Sequence, residues 1–179
     1  MPVAEALVTA GTEAVLTYRR ISGIQQDNET PEIFLGGFVA PQIFNALGLH
    51  AHVERSYTLI ANELGAQIDA GMIRTIGGYR ADLALYDDGS PVAIIEFKIM
   101  DDGVNPAAVI ADRDKMNIIL GFCEIECFVG VFVTDVDGMG YNDRIVALEA
   151  ALGQPVIRGP AQRSADDNWQ WCFVACQTA

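Results

Sequence analysis

Apolar residues recur at two spacings along the chain, and each spacing predicts a different kind of element. A spacing of three to four residues predicts helices, and the first of them ends in Arg19 and Arg20, which suit a helix C-terminus. Within the second, Gly36, Gly37 and Pro41 are expected to break or kink the backbone. The predicted helices cover residues 3–20, 31–48, 51–64, 106–119 and 142–152.

Strands are predicted where apolar and polar residues alternate or where β-branched and aromatic residues accumulate. Two of these segments flank residues 87–91, where an Asp-Gly pair and a nearby proline give a strong turn signal. These two segments are therefore expected to form a β-hairpin. The predicted strands cover residues 66–76, 80–87, 91–100, 126–135 and 169–176.

The order of these elements predicts the fold class. Residues 51–135 follow the order α-β-β-β-α-β, and a hairpin-rich half followed by a helical crossover implies an α/β protein with a mixed central sheet flanked by helices. Residues 1–50 are expected to add a helical layer at the N-terminus, and residues 136–179 a further helix and strand. A chain of 179 residues suits one domain, so we predict that 1–179 form a single domain.

The predicted hairpin brings two carboxylates together. If Tyr86 pairs with Val92 across the turn, Asp82 lies directly opposite Glu96. Opposed residues in antiparallel strands have Cβ atoms about 4.5–5.5 Å apart, which is close enough for two carboxylates to hold one divalent cation. Lys98 follows Glu96 by two positions, so it is expected to project from the same face of the strand.

The two faces of this hairpin differ in character. One face carries Arg80, Asp82, Glu96 and Lys98 at the end away from the turn, and a plain solvated face would not be expected to gather its charges in this way. The alternative is a surface ion pair between Glu96 and Lys98 on a wet strand. The opposite face is wholly apolar and is predicted to be core; it comprises Ala81, Leu83, Leu85, Ala93, Ile95, Phe97 and Ile99.

The paired carboxylates suit metal-dependent phosphodiester chemistry. Asp82 and Glu96, together with the backbone carbonyl of Phe97, offer the hard oxygen ligands that Mg²⁺ or Mn²⁺ prefers. Such an ion activates water and stabilises the negative charge that develops on a phosphate. Lys98 is placed to orient the attacking water or to neutralise that charge.

Asp82 and the Glu-Phe-Lys triplet at 96–98, separated by thirteen residues, resemble the motif of the PD-(D/E)xK nuclease superfamily, which has the restriction-endonuclease-like fold. The core of that superfamily is α-β-β-β-α-β, and its members include restriction endonucleases, Holliday-junction resolvases and recombination nucleases. The resemblance covers residues 51–135 and implies a Mg²⁺-dependent endo- or exodeoxyribonuclease. It implies that Asp82 and Glu96 are metal ligands and that Lys98 is the catalytic lysine. Ala81 stands where the family name has proline.

Many members of this superfamily add a glutamate from the helix before the first strand, and two residues fit that description. Glu54 looks like the helix-start glutamate of archaeal resolvases, and Tyr57 and Ile60 follow it at helical spacing, so its face points partly inward. Glu63 lies nearer the end of the same predicted helix. We take Glu54 as the fourth catalytic residue and Glu63 as the alternative.

Three basic residues near the motif are candidates for contacting the substrate. Arg80 is expected at the mouth of the predicted site, and Arg113 and Lys115 lie on the helix that follows the motif, within reach of a scissile phosphate. The alternative for this helix is an ordinary solvated face.

The overall charge limits how such a site meets nucleic acid. The net charge is −13, and only two lysines stand beside nine arginines, so a non-specific grip on the phosphate backbone is not expected. A compact electropositive or metal-filled cleft on an acidic body remains open. We expect DNA as the partner, with basic surface supplied by a homo-oligomer or by a second protein. The alternatives are a non-cleaving binding or assembly module on the same fold, and a hydrolase of a small phosphorylated substrate.

The remaining features predict a cytoplasmic protein without membrane contact. No apolar run reaches the roughly 18–20 residues that span a bilayer, and the start of the chain lacks the basic region of a secretory signal.

Four cysteines form two C-x3-C pairs on predicted strands, where residues four apart are separated by about 13 Å. Buried reduced thiols are therefore predicted, and the alternative is a four-cysteine cluster built from both pairs.

Overall fold

A mixed β-sheet with helices on both of its faces forms the framework of the protein. The computed structural model describes residues 1–23, 30–103, 105–135, 140–164 and 168–178. Within these residues the helices are α1 (Val3–Ser22), α2 (Glu32–Leu47), α3 (Tyr57–Glu63), α4 (Ala70–Ile76), α5 (Ala107–Leu120) and α6 (Tyr141–Leu152). The strands there are β1 (His50–Ser56), β2 (Arg80–Asp87), β3 (Ser90–Met100), β4 (Glu126–Thr134), β5 (Ile157–Arg158), β6 (Gln162–Arg163) and β7 (Gln170–Gln177).

The sheet has seven strands in the part of the chain that the structure describes, in the order β1-β2-β3-β4-β7-β5, with β6 also paired to β7. β3 and β4 are parallel and are joined through α5, because parallel neighbours require a crossover connection. The remaining strand pairs of these residues are antiparallel. The expectation of an α/β protein with a mixed sheet flanked by helices is therefore confirmed.

Each face of the sheet is covered by its own set of helices. α1 and α2 cover one face, and their buried residues include Leu7 and Val39. α3, α4, α5 and α6 cover the other face, with buried residues that include Met72, Met116 and Leu148. Both faces of the central strands are therefore shielded from solvent, which explains why β4 is apolar along nearly its whole length.

α2 passes close to the strand that carries Asp82. A Cβ atom added at Gly36 would lie 3.4 Å from the backbone oxygen of Asp82, so the absence of a side chain at Gly36 lets the helix approach β2. The helix continues through Pro41 to Leu47, so the expected break does not occur there. It ends at Gly48, which adopts a left-handed conformation with φ of 75° as expected for a helix C-cap.

Two predicted elements between residues 50 and 76 are wrong. The predicted helix 51–64 is the edge strand β1 followed by the short helix α3, because residues 50–56 pair with β2. The predicted strand 66–76 contains α4 instead. Asp69 caps that helix by accepting a hydrogen bond from the backbone N–H of Met72 at 2.8 Å, and the buried residues Met72 and Ile76 are four positions apart.

These corrections shift the order of elements by one helix and one strand. When the short helices α3 and α4 are set aside, α2-β1-β2-β3-α5-β4 follow the order α-β-β-β-α-β. The helix before the first strand is therefore α2, which lies within the segment predicted to be an N-terminal extension. The other predicted helices and strands are present with boundaries that differ by a few residues.

Two further expectations concern the membrane and the cysteines. Among the described residues, no helix combines the length and the apolar character needed to cross a membrane.

All four cysteines are free thiols, and Cys127, Cys172 and Cys176 are buried while Cys123 is partly buried. Burial raises the pKa of each of these thiols, so they remain protonated at neutral pH.

Candidate functional site

Charged side chains from five elements meet where the β2–β3 hairpin opens away from its turn. β2 and β3 supply the motif residues, α5 contributes from one face of the sheet, and α2 and α3 complete the group. We call this group the carboxylate–lysine cluster. It consists of Glu32, Tyr57, Asp82, Glu96, Lys98, Asp112 and Lys115.

The hairpin register places Asp82 beside Glu96, as the sequence predicts. Leu83 pairs with Ile95, and the next position on each strand is Asp82 and Glu96. The Asp82 carboxylate accepts a hydrogen bond from the backbone N–H of Phe97 at 2.7 Å, which fixes it against β3. The predicted pairing at the turn is wrong, since an irregularity after Leu85 shifts the register there. The shift lies between the turn and the cluster, and beyond it Leu83 and Ile95 pair in the predicted register.

Tyr86 and the residues around it show the effect of this irregularity. Tyr86 pairs with Pro91 rather than with Val92. Val92, which was expected on the face of Asp82, packs against the core under α1 and α2 instead. A bulge of this kind moves one strand by one residue relative to its partner and changes the face of the residue next to it.

Glu96 is the most buried carboxylate of the cluster, with 1% of its surface exposed. Its Oε1 accepts a hydrogen bond from the hydroxyl of Tyr57 at 2.8 Å, and its Oε2 lies 2.8 Å from the Nζ of Lys115. Burial and the nearby charge of Asp82 raise the pKa of Glu96 to about 7, against the opposing effect of Lys115 and Tyr57. Glu96 therefore changes its charge near neutral pH.

Lys98 joins elements from both faces of the sheet. Its Nζ lies 3.0 Å from Glu32 Oε2 at the start of α2 and 3.1 Å from Asp112 Oδ2 on α5, and it donates to the backbone oxygen of Phe97 at 3.0 Å. Burial disfavours the charged lysine, but Glu32 and Asp112 outweigh this effect and raise the pKa of Lys98. Lys98 is consequently a fixed ammonium group at neutral pH.

Lys115 reaches the cluster and Arg113 does not. The Nζ of Lys115 lies 3.5 Å from Asp112 Oδ1, donates to the backbone oxygen of Arg80 at 3.3 Å, and stands 5.7 Å from the centre of the Tyr57 ring. Arg113 faces α6, where its Nη1 donates to the backbone oxygen of Ala151 at 2.9 Å. Of the two basic residues that sequence reasoning proposed on this helix, only Lys115 is therefore positioned by the structure near the motif.

Arg80, Glu54 and Glu63 lie around the cluster rather than in it. Arg80 is exposed at the start of β2 and donates to the backbone oxygen of Glu54 at 3.1 Å. Glu54 is exposed in β1 with φ of 55°, so it does not occupy the helix on which its predicted role depended. Glu63 forms an ion pair with Arg55 and accepts a hydrogen bond from the hydroxyl of Tyr86 at 2.7 Å.

Sequence reasoning missed Glu32 and the contacts of Tyr57 and Asp112. Glu32 begins α2, the helix that precedes the first strand of the sheet. The sequence does not suggest Glu32 as a site residue, because the helix predicted over residues 51–64 takes the position of α2 before the first strand. A usable signal for Asp112 was its position three residues before Lys115, one of only two lysines in the chain.

The oxygen donors of the cluster are of the chemical type that a divalent cation binds. Asp82, Glu96 and the carbonyl of Phe97 are the atoms that would hold it, and oxygen is the ligand that Mg²⁺ and Mn²⁺ prefer. With Glu96 ionised, the four carboxylates of the cluster exceed its two ammonium groups by two negative charges. Within the described residues, no three histidine, cysteine, aspartate or glutamate side chains are grouped for metal binding. The hairpin thus offers two carboxylates and one carbonyl as oxygen donors.

Comparisons of the chain with protein-family models, with curated proteins and with solved structures found no match. The chemistry of the carboxylate–lysine cluster therefore has to be argued from its own geometry and charge. The distinguishing features of the cluster are the adjacent carboxylates of Asp82 and Glu96 and the two lysines that accompany them.

Proposed function

We propose that the protein is a divalent-metal-dependent phosphodiesterase with a site of the PD-(D/E)xK type, and that it acts on DNA. The observation that carries this proposal is the proximity of Asp82 and Glu96 across the hairpin, with Lys98 two residues further along β3. Two negative charges in excess at this place favour a divalent cation, because a cation offsets the repulsion between neighbouring carboxylates.

The order of elements supports the same proposal. A PD-(D/E)xK core has the order α-β-β-β-α-β, and α2-β1-β2-β3-α5-β4 follow it, with the two short helices inserted between β1 and β2. On this assignment Glu32 comes from the helix before the first strand, where many members of that superfamily carry a glutamate. Its contact with Lys98 is consistent with such a role. We therefore propose Glu32, rather than Glu54 or Glu63, as the additional glutamate.

The residues of the cluster have distinct roles in this mechanism. Asp82, Glu96 and the carbonyl of Phe97 would hold Mg²⁺ or Mn²⁺, and the ion would supply positive charge for the phosphate and acidify a water molecule. Tyr57 fixes one oxygen of Glu96 through its hydroxyl and so orients that carboxylate. Lys98 neutralises charge on the phosphate as the attack proceeds.

Loss of either motif residue should abolish cleavage without unfolding the protein. We expect Asp82→Ala and Lys98→Ala to remove Mg²⁺-dependent cleavage of plasmid DNA, because one lacks a metal ligand and the other lacks the charge that stabilises the phosphate. Plasmid nicking and circular dichroism are the measurements. Asp87→Ala is the matched control, since Asp87 is exposed at the turn end of the same strand. Wild-type protein that cleaves neither DNA nor RNA with Mg²⁺ or Mn²⁺ would contradict the proposal.

The net charge of −13 favours a second candidate, the hydrolysis of a small phosphorylated substrate. Such a substrate needs no long basic track, and both lysines of the chain already lie at the cluster. Competition experiments separate the two candidates. Inhibition of a phosphodiester reporter by mononucleotides but not by duplex DNA supports the small substrate, and the reverse result supports DNA.

A further inference from the structure

The two lysines of the chain meet at a single carboxylate. The Nζ of Lys98 lies 3.1 Å from Oδ2 of Asp112, and the Nζ of Lys115 lies 3.5 Å from Oδ1. One carboxylate thus bridges two ammonium groups and presents one oxygen to each of them. This arrangement matches the way in which two oxygens of a phosphate group meet a pair of cations.

Both lysines are held in position by acceptors other than Asp112. An ammonium group has three N–H donors, and each lysine directs two of them elsewhere. The acceptors are Glu32 Oε2 and Phe97 O, each at 3.0 Å, for Lys98, and Glu96 Oε2 at 2.8 Å and Arg80 O at 3.3 Å for Lys115. Glu32 for Lys98 and the carbonyl of Arg80 for Lys115 are not among the proposed metal ligands, so each lysine keeps an anchor of its own when Asp112 is not engaged, with one donor left for a ligand in the shared space.

Asp112 is bound less firmly than the lysines that it joins. Its Oδ2 is buried and has no hydrogen-bond partner among the described residues, although the Nζ of Lys98 is 3.1 Å away. Its Oδ1 is 3.5 Å from Lys115, beyond the usual length of a charge-assisted hydrogen bond. Attraction between charges, rather than a full set of hydrogen bonds, holds this carboxylate in place. A buried acceptor in this condition is unfavourable and is readily exchanged for a better one.

We propose that the carboxylate of Asp112 occupies the position of an anionic ligand between Lys98 and Lys115, and that a phosphate group displaces it on binding. The inference rests on the proposed function, because it assigns the phosphate-binding part of the same site. Asp112 is then an internal competitor that keeps the lysine pair neutralised until a phosphate arrives. Removal of its charge should therefore increase the affinity for phosphate.

Lysine ammonium signals test this proposal directly, because the chain has only two lysines. The full-length protein with ¹⁵N-labelled lysine is titrated with inorganic phosphate, with and without Mg²⁺, and the two Nζ signals are assigned with Lys98→Arg and Lys115→Arg. We expect both signals to shift together. For Asp112→Asn we expect a dissociation constant for phosphate that is lower by about tenfold or more, because one adjacent negative charge has been removed.

Asp114→Asn is the matched control, since Asp114 lies on the same helix and its side chain is 60% exposed and paired with Arg113. It removes the same charge from the protein without touching the lysines. Equal gains in the two variants, no gain for Asp112→Asn, or lysine signals that broaden because the ammonium groups lose their order would each overturn the proposal. An Asp112→Asn protein that fails to fold would do so as well, since a displaceable carboxylate is not needed for folding. Phosphate binding is read without turnover, so this result is independent of whether the wild-type protein cleaves nucleic acid.

Discussion

Burial and the charge of Asp82 act in the same direction on the pKa of Glu96. The residue is 1% exposed, and its pKa is raised to about 7 by burial and by the charge of Asp82. In the unfolded chain a glutamate titrates near 4.3. The folded protein thus binds a proton at Glu96 more tightly than the unfolded chain does. A raised pKa of this kind stabilises the fold at low pH, and the contribution is lost as the pH rises from about 4.5 to about 7.

Substitution of Glu96 by glutamine should therefore flatten the dependence of stability on pH. Between about pH 5 and about pH 8, the free energy of unfolding of the wild-type protein should fall relative to that of Glu96→Gln by on the order of 3 kcal/mol. Urea denaturation at several pH values, in metal-free buffer, measures this difference. Glu124→Gln, at an exposed position, should follow the wild-type curve. Parallel curves for Glu96→Gln and wild type would show that Glu96 is ionised throughout this range.

At the scale of the elements, local patterns predicted the hairpin and failed for β1. The turn at residues 87–91 brings β2 and β3 together from adjacent sequence, and the irregularity after Leu85 restores the register in which Asp82, Glu96 and Lys98 lie near one another. β1 forms through pairing with β2, about thirty residues away, and no local pattern reports such a contact. Apolar residues at helical spacing continue across the boundary between β1 and α3, which made the whole segment resemble one helix.

The difference between local patterns and long-range contacts also explains which cluster residues could be predicted from the sequence. The motif residues share one hairpin, whereas Glu32 and Asp112 are delivered by α2 and α5. Their contacts with Lys98 depend on how those helices pack on the two faces of the sheet. Sequence spacing specifies which residues share a helix face, but it does not specify which strand that face meets. The proximity of Asp82 and Glu96 could therefore be predicted from the sequence, whereas most of their surroundings could not.

The identity of the helix before the first strand leads to a prediction about the additional glutamate. Glu32→Gln should lower Mg²⁺-dependent cleavage by about 10–100-fold, because Lys98 loses a charged partner that orients it. Glu54→Gln should leave cleavage within about twofold of wild type, since Glu54 is exposed in β1 and its carbonyl makes the contact with Arg80. Rates with the same plasmid substrate provide the comparison. If Glu54→Gln is the more damaging change, the original assignment of Glu54 is favoured and Glu32 has a minor role.

At the scale of the whole molecule, the negative net charge opposes the proposed binding of phosphate. The protein carries 24 acidic and 11 basic residues, yet both of its lysines lie in the carboxylate–lysine cluster. An acidic surface repels the phosphate backbone at long range, while a metal ion and fixed ammonium groups attract one phosphate at short range. A protein with this distribution is expected to contact few phosphates and to depend on the cation for binding.

The salt dependence of DNA binding measures how many phosphates are contacted. If Lys98 and Lys115 share one phosphate, the slope of log K against log salt concentration should be about −1, because each phosphate contact contributes roughly −0.9. Lys115→Met should weaken binding and bring this slope closer to zero, whereas Arg74→Met, on the exposed end of α4, should change neither. Fluorescence anisotropy with a duplex oligonucleotide and Ca²⁺ in place of Mg²⁺ provides the binding constants. A slope of about −5 or steeper would mean that additional basic surface takes part in binding. The dependence of the slope on protein concentration would then distinguish a homo-oligomer from a separate partner.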